Sequence, residues 1–186
     1  MIRLALAVLM LGWPLAHLAQ EPADVFLAAL RSHCSKAYVG RVIDPQPVDT
    51  AFAGQRLVMH VRECGDTVRV PFHVGDDRSR TWVFTRIAGG VRLKHDHRHR
   101  DGTEDRITQY GGDSRPAVTA ERVEFAADSL TAALIPAALT NVWTVEITPT
   151  QFVYHIRREG TDRRFRVEFD LTRPVPPPPA PWGHDH

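Results

Sequence analysis

The fold class expected for this chain is mainly β: a single antiparallel up-and-down meander closing into a barrel or a curved half-barrel. Three observations lead there. About nine or ten short segments alternate apolar and polar residues with period 2, the mark of strands with one buried face. Most are joined by tight-turn pairs, among them Gly65-Asp66, Gly89-Gly90 and Asp101-Gly102. With 186 residues, the chain is long enough for one domain with a real core and short for two. A strongly twisted meander of this length tends to close on itself, which removes its edges. A two-sheet β-sandwich is the alternative.

The chain opens with MIRLALAVLMLGWPLAHLAQ. Arg3 precedes an apolar run from Leu4 to Trp13 that Pro14 breaks, the layout of a secretory signal peptide. Residues 1–19 are assigned to it, with cleavage near Ala19, and residues 20–173 to the barrel-like domain. The run is shorter than the roughly 20 residues a membrane span needs. No transmembrane span is therefore expected after its removal, and the expected location is periplasmic or secreted. Two cysteines remain, Cys34 and Cys64. In an oxidising compartment such a pair favours one disulfide, closing a loop of about 30 residues.

Pro22 to His33 reads as a short helix, with Asp24 at its start and Phe26, Leu27 and Leu30 on one stripe. Lys36 to Ile43 is the first strand, and the proline-containing segment from Asp44 to Gly54 is a loop. Gln55 to Cys64 and Thr67 to Val74 form a hairpin whose core face carries Leu57, Met59, Val61, Val68, Val70 and Phe72; His60 and His73 take the outer face. Three strands then run from Trp82 to Asp113, followed by one from Ala117 to Phe125. Asp128 caps a short inserted helix that Pro136 ends or kinks. Val142 to Thr148 and Gln151 to Arg157 pair with Trp143, Val145, Ile147, Phe152, Tyr154 and Ile156 inward, and Arg163 to Leu171 closes the series. Residues 174–186 are a proline-rich tail, extended and either disordered or draped on the surface.

The Trp82–Asp113 unit carries the functional expectation. Its two turns set Phe84 opposite His95, Trp82 opposite His97, His99 opposite Glu104 and His97 opposite Arg106. One face then holds the proposed ligand-binding set Trp82, Phe84, Arg86, His95, His97, Glu104, Arg106 and Tyr110. Guanidinium groups beside aromatic rings suit a small anionic or amphipathic ligand, because an arginine fork makes charge-assisted contacts to carboxylate or phosphate. The alternative is a divalent metal, zinc by preference, held by His97, His99 and Glu104, since imidazoles at i and i+2 can converge on one ion. Arg106 beside His97 speaks against it. The plain alternative is polar fill at a barrel mouth.

The run LKHDHRHRDGTEDRITQYGGD, with NVWTVEI and FRVEFDLTRPV, resembles an uncharacterised family of exported bacterial proteins over roughly residues 30–182. More loosely, a meander barrel entered through a short helix is similar to the lipocalin and fatty-acid-binding group, with Tyr38-Val39-Gly40 near where lipocalins carry Gly-x-Trp. That likeness implies a ligand cavity. No nucleophile–base pair or Gly-x-Ser-x-Gly context marks an enzyme. A net charge of +1 with no basic block gives nucleic acid no support. The expected function is thus an exported protein binding a small molecule, with a metal-dependent periplasmic protein and an envelope interaction protein as alternatives.

Overall fold

The computed structural model describes residues 20–184; the expected signal peptide and the last two residues of the tail lie outside the described residues. The elements run α1 (Pro22–Arg31), β1 (Ala37–Ile43), β2 (Leu57–His60), β3 (Glu63–Cys64), β4 (Thr67–Val74), β5 (Asp77–Ile87), β6 (Gly90–His97), β7 (Tyr110–Asp113), β8 (Arg122–Ala126), α2 (Ser129–Leu134), β9 (Asn141–Ile147), β10 (Gln151–Arg158) and β11 (Arg164–Val175). The strands form one antiparallel sheet in the order β7-β6-β5-β4-β2-β1-β11-β10-β9-β8, with β3 a kinked continuation of β2 that pairs only with β4. Each strand lies beside its neighbours in the chain, and the first and last strands, β1 and β11, pair with each other. This is the up-and-down meander, nearly closed into a barrel.

The remaining seam, between β7 and β8, is joined by few strand contacts. Ser114 makes an isolated bridge to Phe125, and the Arg115 amide donates to the Glu124 carbonyl at 2.7 Å. Thr131, fully buried at the start of α2, fills the rest of the gap: its hydroxyl accepts from the Gly111 amide at 2.7 Å and donates to the Gly111 carbonyl at 2.8 Å. One threonine side chain thereby does what a strand partner would do. The approach is close enough to demand glycine. A Cβ on Gly112 would lie 1.8 Å from the Ala126 carbonyl oxygen, and Gly111 has φ of +142°. Asp128 caps α2 as expected, its carboxylate accepting from the Thr131 amide at 2.8 Å.

The two ends of the barrel are closed differently. At one end α1 lies across the opening with Phe26, Leu27 and Leu30 buried. Phe26 meets Phe84 edge-on at 6.3 Å, and Phe84 meets Phe125 at 6.3 Å. The Cys34–Cys64 disulfide is formed, with Cα atoms 6.1 Å apart, and ties the segment after α1 to β3. Through the middle of the barrel, Phe72, Trp82 and Tyr154 stack in a column at 4.8 and 4.5 Å, with Phe152 and Phe169 packed beside it. Each such side chain contributes about 1.5–3 kcal/mol by burial. The interior is therefore filled by aromatic side chains, and the open central cavity implied by the lipocalin likeness is absent from this part of the barrel.

Two registers differ from expectation. The β5–β6 turn centres on Ala88 and Gly89, so Phe84 pairs with Leu93, Trp82 with His95 and Arg80 with His97. The slip is two residues, and with period-2 alternation the same side chains stay on the inner face. The second hairpin is not regular. β6 ends at His97, His95 pairs with Tyr110, and Arg98 bridges Glu104. Aspartates cause the irregularity: Asp101 accepts from the Thr103 amide and hydroxyl, at 3.0 and 2.7 Å, and Asp105 accepts from the Ile107 amide at 2.8 Å. These Asx turns replace ladder bonds.

The tail follows an ordered course. β11 continues to Val175, and the chain then crosses the outer face of the sheet. Arg78 Nη1 donates to the Ala180 carbonyl at 2.9 Å, the Trp182 amide donates to the Arg78 carbonyl at 3.2 Å, and His184 Nε2 meets the buried Asp96 carboxylate at 3.2 Å.

Candidate functional site at the barrel mouth

The end of the barrel away from α1 opens into a cavity of about 130 Å³. β5, β6 and β7 bring Arg80, Trp82, His95, His97 and Tyr110 to it, β10 brings Tyr154 and Ile156, and the loops bring Phe52 and Arg163. Alternation explains the set: Arg80 and Trp82, and His95 and His97, are i, i+2 pairs on the inner face, and Trp82 and His95 are cross-strand partners.

The polar groups form a fixed chain of hydrogen bonds. His95 is buried, with Nδ1 3.0 Å from the Tyr110 carbonyl and Nε2 2.7 Å from the Tyr154 hydroxyl. A carbonyl only accepts, so Nδ1 carries the proton and the bare Nε2 accepts from the Tyr154 O–H. The imidazole also stacks on the Tyr110 ring, centroids 4.4 Å apart. The Tyr110 hydroxyl in turn lies 3.1 Å from His97 Nε2, and the His97 amide donates to Thr108 Oγ1 at 2.8 Å. Burial, aided by Arg80, pushes His97 down to about 4; burial pushes His95 down to about 3, the bond to the Tyr110 carbonyl opposing it only in part. Burial also raises Tyr110 to about 12 and Tyr154 well above the ordinary phenol. At neutral pH the site presents neutral imidazoles and protonated phenols.

Fixed charge comes from the rim. Arg80 is anchored by Asp77, Nη1 to Oδ2 at 2.5 Å, and its guanidinium carbon stands 6.0 Å from the Phe52 ring centre. Arg163 is held more firmly, by the buried Asp49 carboxylate at 2.8 Å and by Gln46 Oε1 at 2.9 Å. A guanidinium has five N–H donors, so these anchors leave donors on both arginines for a ligand. The arrangement recognises charge and shape, and its phenols are held far from ionisation.

Of the residues expected from sequence, Trp82, His95, His97 and Tyr110 meet in this cavity. Phe84 is core beneath α1. Arg86 pairs with Asp24 at 2.7 Å and donates to the Gly90 and Ile87 carbonyls, fastening the helix instead of lining the cavity. Glu104 is exposed and pairs with Arg98 at 3.3 Å, and Arg106 is exposed on the 98–109 loop. His99 is exposed, 4.0 Å from Asp105. His97, His99 and Glu104 are thus not gathered, because the Asx turns take the chain out of register after His97. Among the described residues no group of three His, Cys, Asp or Glu side chains could hold a metal ion. The residues sequence reasoning missed are Phe52, Arg80, Tyr154 and Arg163. Arg80 was accessible from the alternation, two residues before Trp82 on the same face. Alternation places Tyr154 on the core face, where it lies, and carries no signal of its bond to His95. Arg163 comes from a loop and had no periodic signal.

The chain matches no protein-family model, no curated protein and no solved structure.

Proposed function

We propose that the protein is an exported barrel that binds a small anionic ligand at its mouth. The observation that carries this reading is the convergence of Arg80 and Arg163 with His97 on one cavity floored by Trp82 and Tyr154. The ligand's carboxylate or phosphate lies against the guanidiniums, His97 supplies a hydrogen bond, and a short apolar part meets Phe52 and Ile156. At about 130 Å³ the cavity is small, so the ligand has few heavy atoms. Drug-sized pockets run to roughly 300–1,000 Å³. A long amphipathic chain does not fit a barrel whose centre is filled by the Phe72–Trp82–Tyr154 column. Export is supported by the apolar leader and by the Cys34–Cys64 disulfide, which suits an oxidising compartment; no helix among the described residues is long and apolar enough to cross a membrane.

Titration calorimetry with a short hydroxy acid such as lactate tests the reading. Saturable binding is expected, weakened at least about tenfold by Arg80→Ala, since a charged hydrogen bond is worth about 1.5–3 kcal/mol. Absence of binding, or equal binding by wild type and variant, contradicts it.

A further inference from the structure

A second, larger cleft lies outside the barrel, sharing no lining residue with the mouth. It has a volume of about 960 Å³ and is bounded by the outer face of β2 and β4 on one side and by the C-terminal segment on the other. Its origin is the run of prolines at 176–179. Proline has no amide hydrogen, so this stretch cannot be stitched to the sheet as β11 is. The segment is fastened only beyond it, through Ala180 and Trp182 to Arg78 and through His184 to Asp96. Between those ties and the end of β11 it stands off the wall and leaves the cleft.

The lining is chemically specific. Arg56, Arg78 and Arg100 face it with a single acid, Asp76. Arg56 and Arg100 are exposed and make no ion pair among the described residues. His73 also lines it; although on the outer face of β4, the residue is only 3% exposed, and its Nε2 has no hydrogen-bond partner among the described residues. Trp182 lines the opposite side, and its buried indole Nε1 likewise has none. Burial, reinforced by Arg78 and His60, pushes His73 down to about 4, so the ring is neutral. Both nitrogens are sealed from solvent, so a ligand pairs with them only by shifting the side chains around them, and doing so removes the cost of leaving them unsatisfied.

We propose that this cleft binds a hydroxyl-bearing anion of the sugar-acid or sugar-phosphate class. The indole N–H needs an acceptor, and His73 Nε2 needs a donor or an acceptor according to its tautomer. A hydroxyl is both, so a polyol satisfies the pair whichever tautomer is present. The arginines take the carboxylate or phosphate through charge-assisted hydrogen bonds. The proline segment forms the outer wall, and Trp182 gives it a flat aromatic surface.

The test is titration calorimetry on the mature protein with glucuronate, glucose 6-phosphate, glucose and inorganic phosphate. Binding of either acidic sugar is expected, and which of the two binds more tightly tells carboxylate from phosphate. Glucose and inorganic phosphate should each bind at least tenfold more weakly than the preferred acid. The double variant Arg56→Ala/Arg100→Ala, whose residues are exposed, should keep its circular dichroism spectrum and lose at least tenfold in affinity. Trp182→Phe should lose affinity for the sugar acid and not for inorganic phosphate, and these differences are measured in an Arg80→Ala background so that anion binding at the mouth does not contribute. If neither acidic sugar binds, or the double variant binds as wild type does, the proposal fails. If inorganic phosphate binds as tightly as the sugars, the role given to His73 and Trp182 is wrong.

Discussion

The two ends of this barrel are built from the same strands and have opposite chemistry. At the α1 end the inward residues are apolar, the helix supplies Phe26, Leu27 and Leu30, and the arginine there, Arg86, is committed to Asp24 and to backbone carbonyls. At the mouth the inward positions turn polar within two steps of alternation: Phe84 and Trp82 give way to Arg80 along β5, and Leu93 to His95 and His97 along β6. One end is an interior completed by a plug. The other is an interior left incomplete, lined by donors and by cations with hydrogen-bonding capacity to spare. An inward face that changes character at a set depth is how a filled barrel can still carry a site.

The plugged end should be stability without function. Phe84→Ala is expected to cost about 3–5 kcal/mol, the range for emptying a buried phenylalanine. Removing the disulfide by Cys34→Ser/Cys64→Ser should cost about 3–4 kcal/mol on the chain-entropy estimate for a loop of this length. Both are read from urea unfolding, and lactate affinity of the folded fraction should be unchanged. A loss of affinity would mean the ends are coupled.

The mouth should show itself in pH dependence. His97 is held near 4 in the folded protein against 6.5 for the free side chain. The unfolded chain therefore binds the proton more readily, so the stability this residue contributes is whole above about pH 6.5 and falls as the pH drops toward 4. His97→Gln, which keeps a hydrogen-bonding group near Tyr110, should flatten the stability-against-pH curve in that window by about 1.4 kcal/mol per pH unit. An unchanged slope would show that His97 is protonated freely in the folded state. The smallest effects belong to the half-exposed ion pairs. Arg86→Ala and Arg80→Ala should each change stability by no more than about 1 kcal/mol, and only Arg80→Ala should touch binding.

Much of this architecture was legible in the residues. Alternation and tight-turn pairs are local signals, and they delivered the meander, the inserted helix with its Asp128 cap and the inner face of β5 and β6. The cysteine pair was legible because Cys34 and Cys64 had no other partner. What was not legible depends on contacts between distant segments. The two-residue slip at Ala88-Gly89 kept Trp82 and His95 on the inner face but replaced Phe84 by Arg80 near the histidines. The Asx turns of Asp101 and Asp105 overrode a regular Asp-Gly hairpin and put His99, Glu104 and Arg106 outside. Asp24 capturing Arg86, and Asp49 holding Arg163, join residues 62 and 114 positions apart, and no periodicity announces them.

The central claim, that the mouth recognises an anion through Arg80 beside the His97–Tyr110 pair, is tested most directly at the histidine itself. The measurement is the side-chain nitrogen resonances of His95 and His97 in the protein from residue 20 onward at neutral pH, followed while acetate is added. A saturable shift is expected at His97, with a smaller one at His95 whose Nδ1 remains protonated, no equivalent response to chloride, and loss of the shift in Arg80→Ala. Resonances that ignore acetate, or that move equally with chloride and in the variant, would contradict the claim.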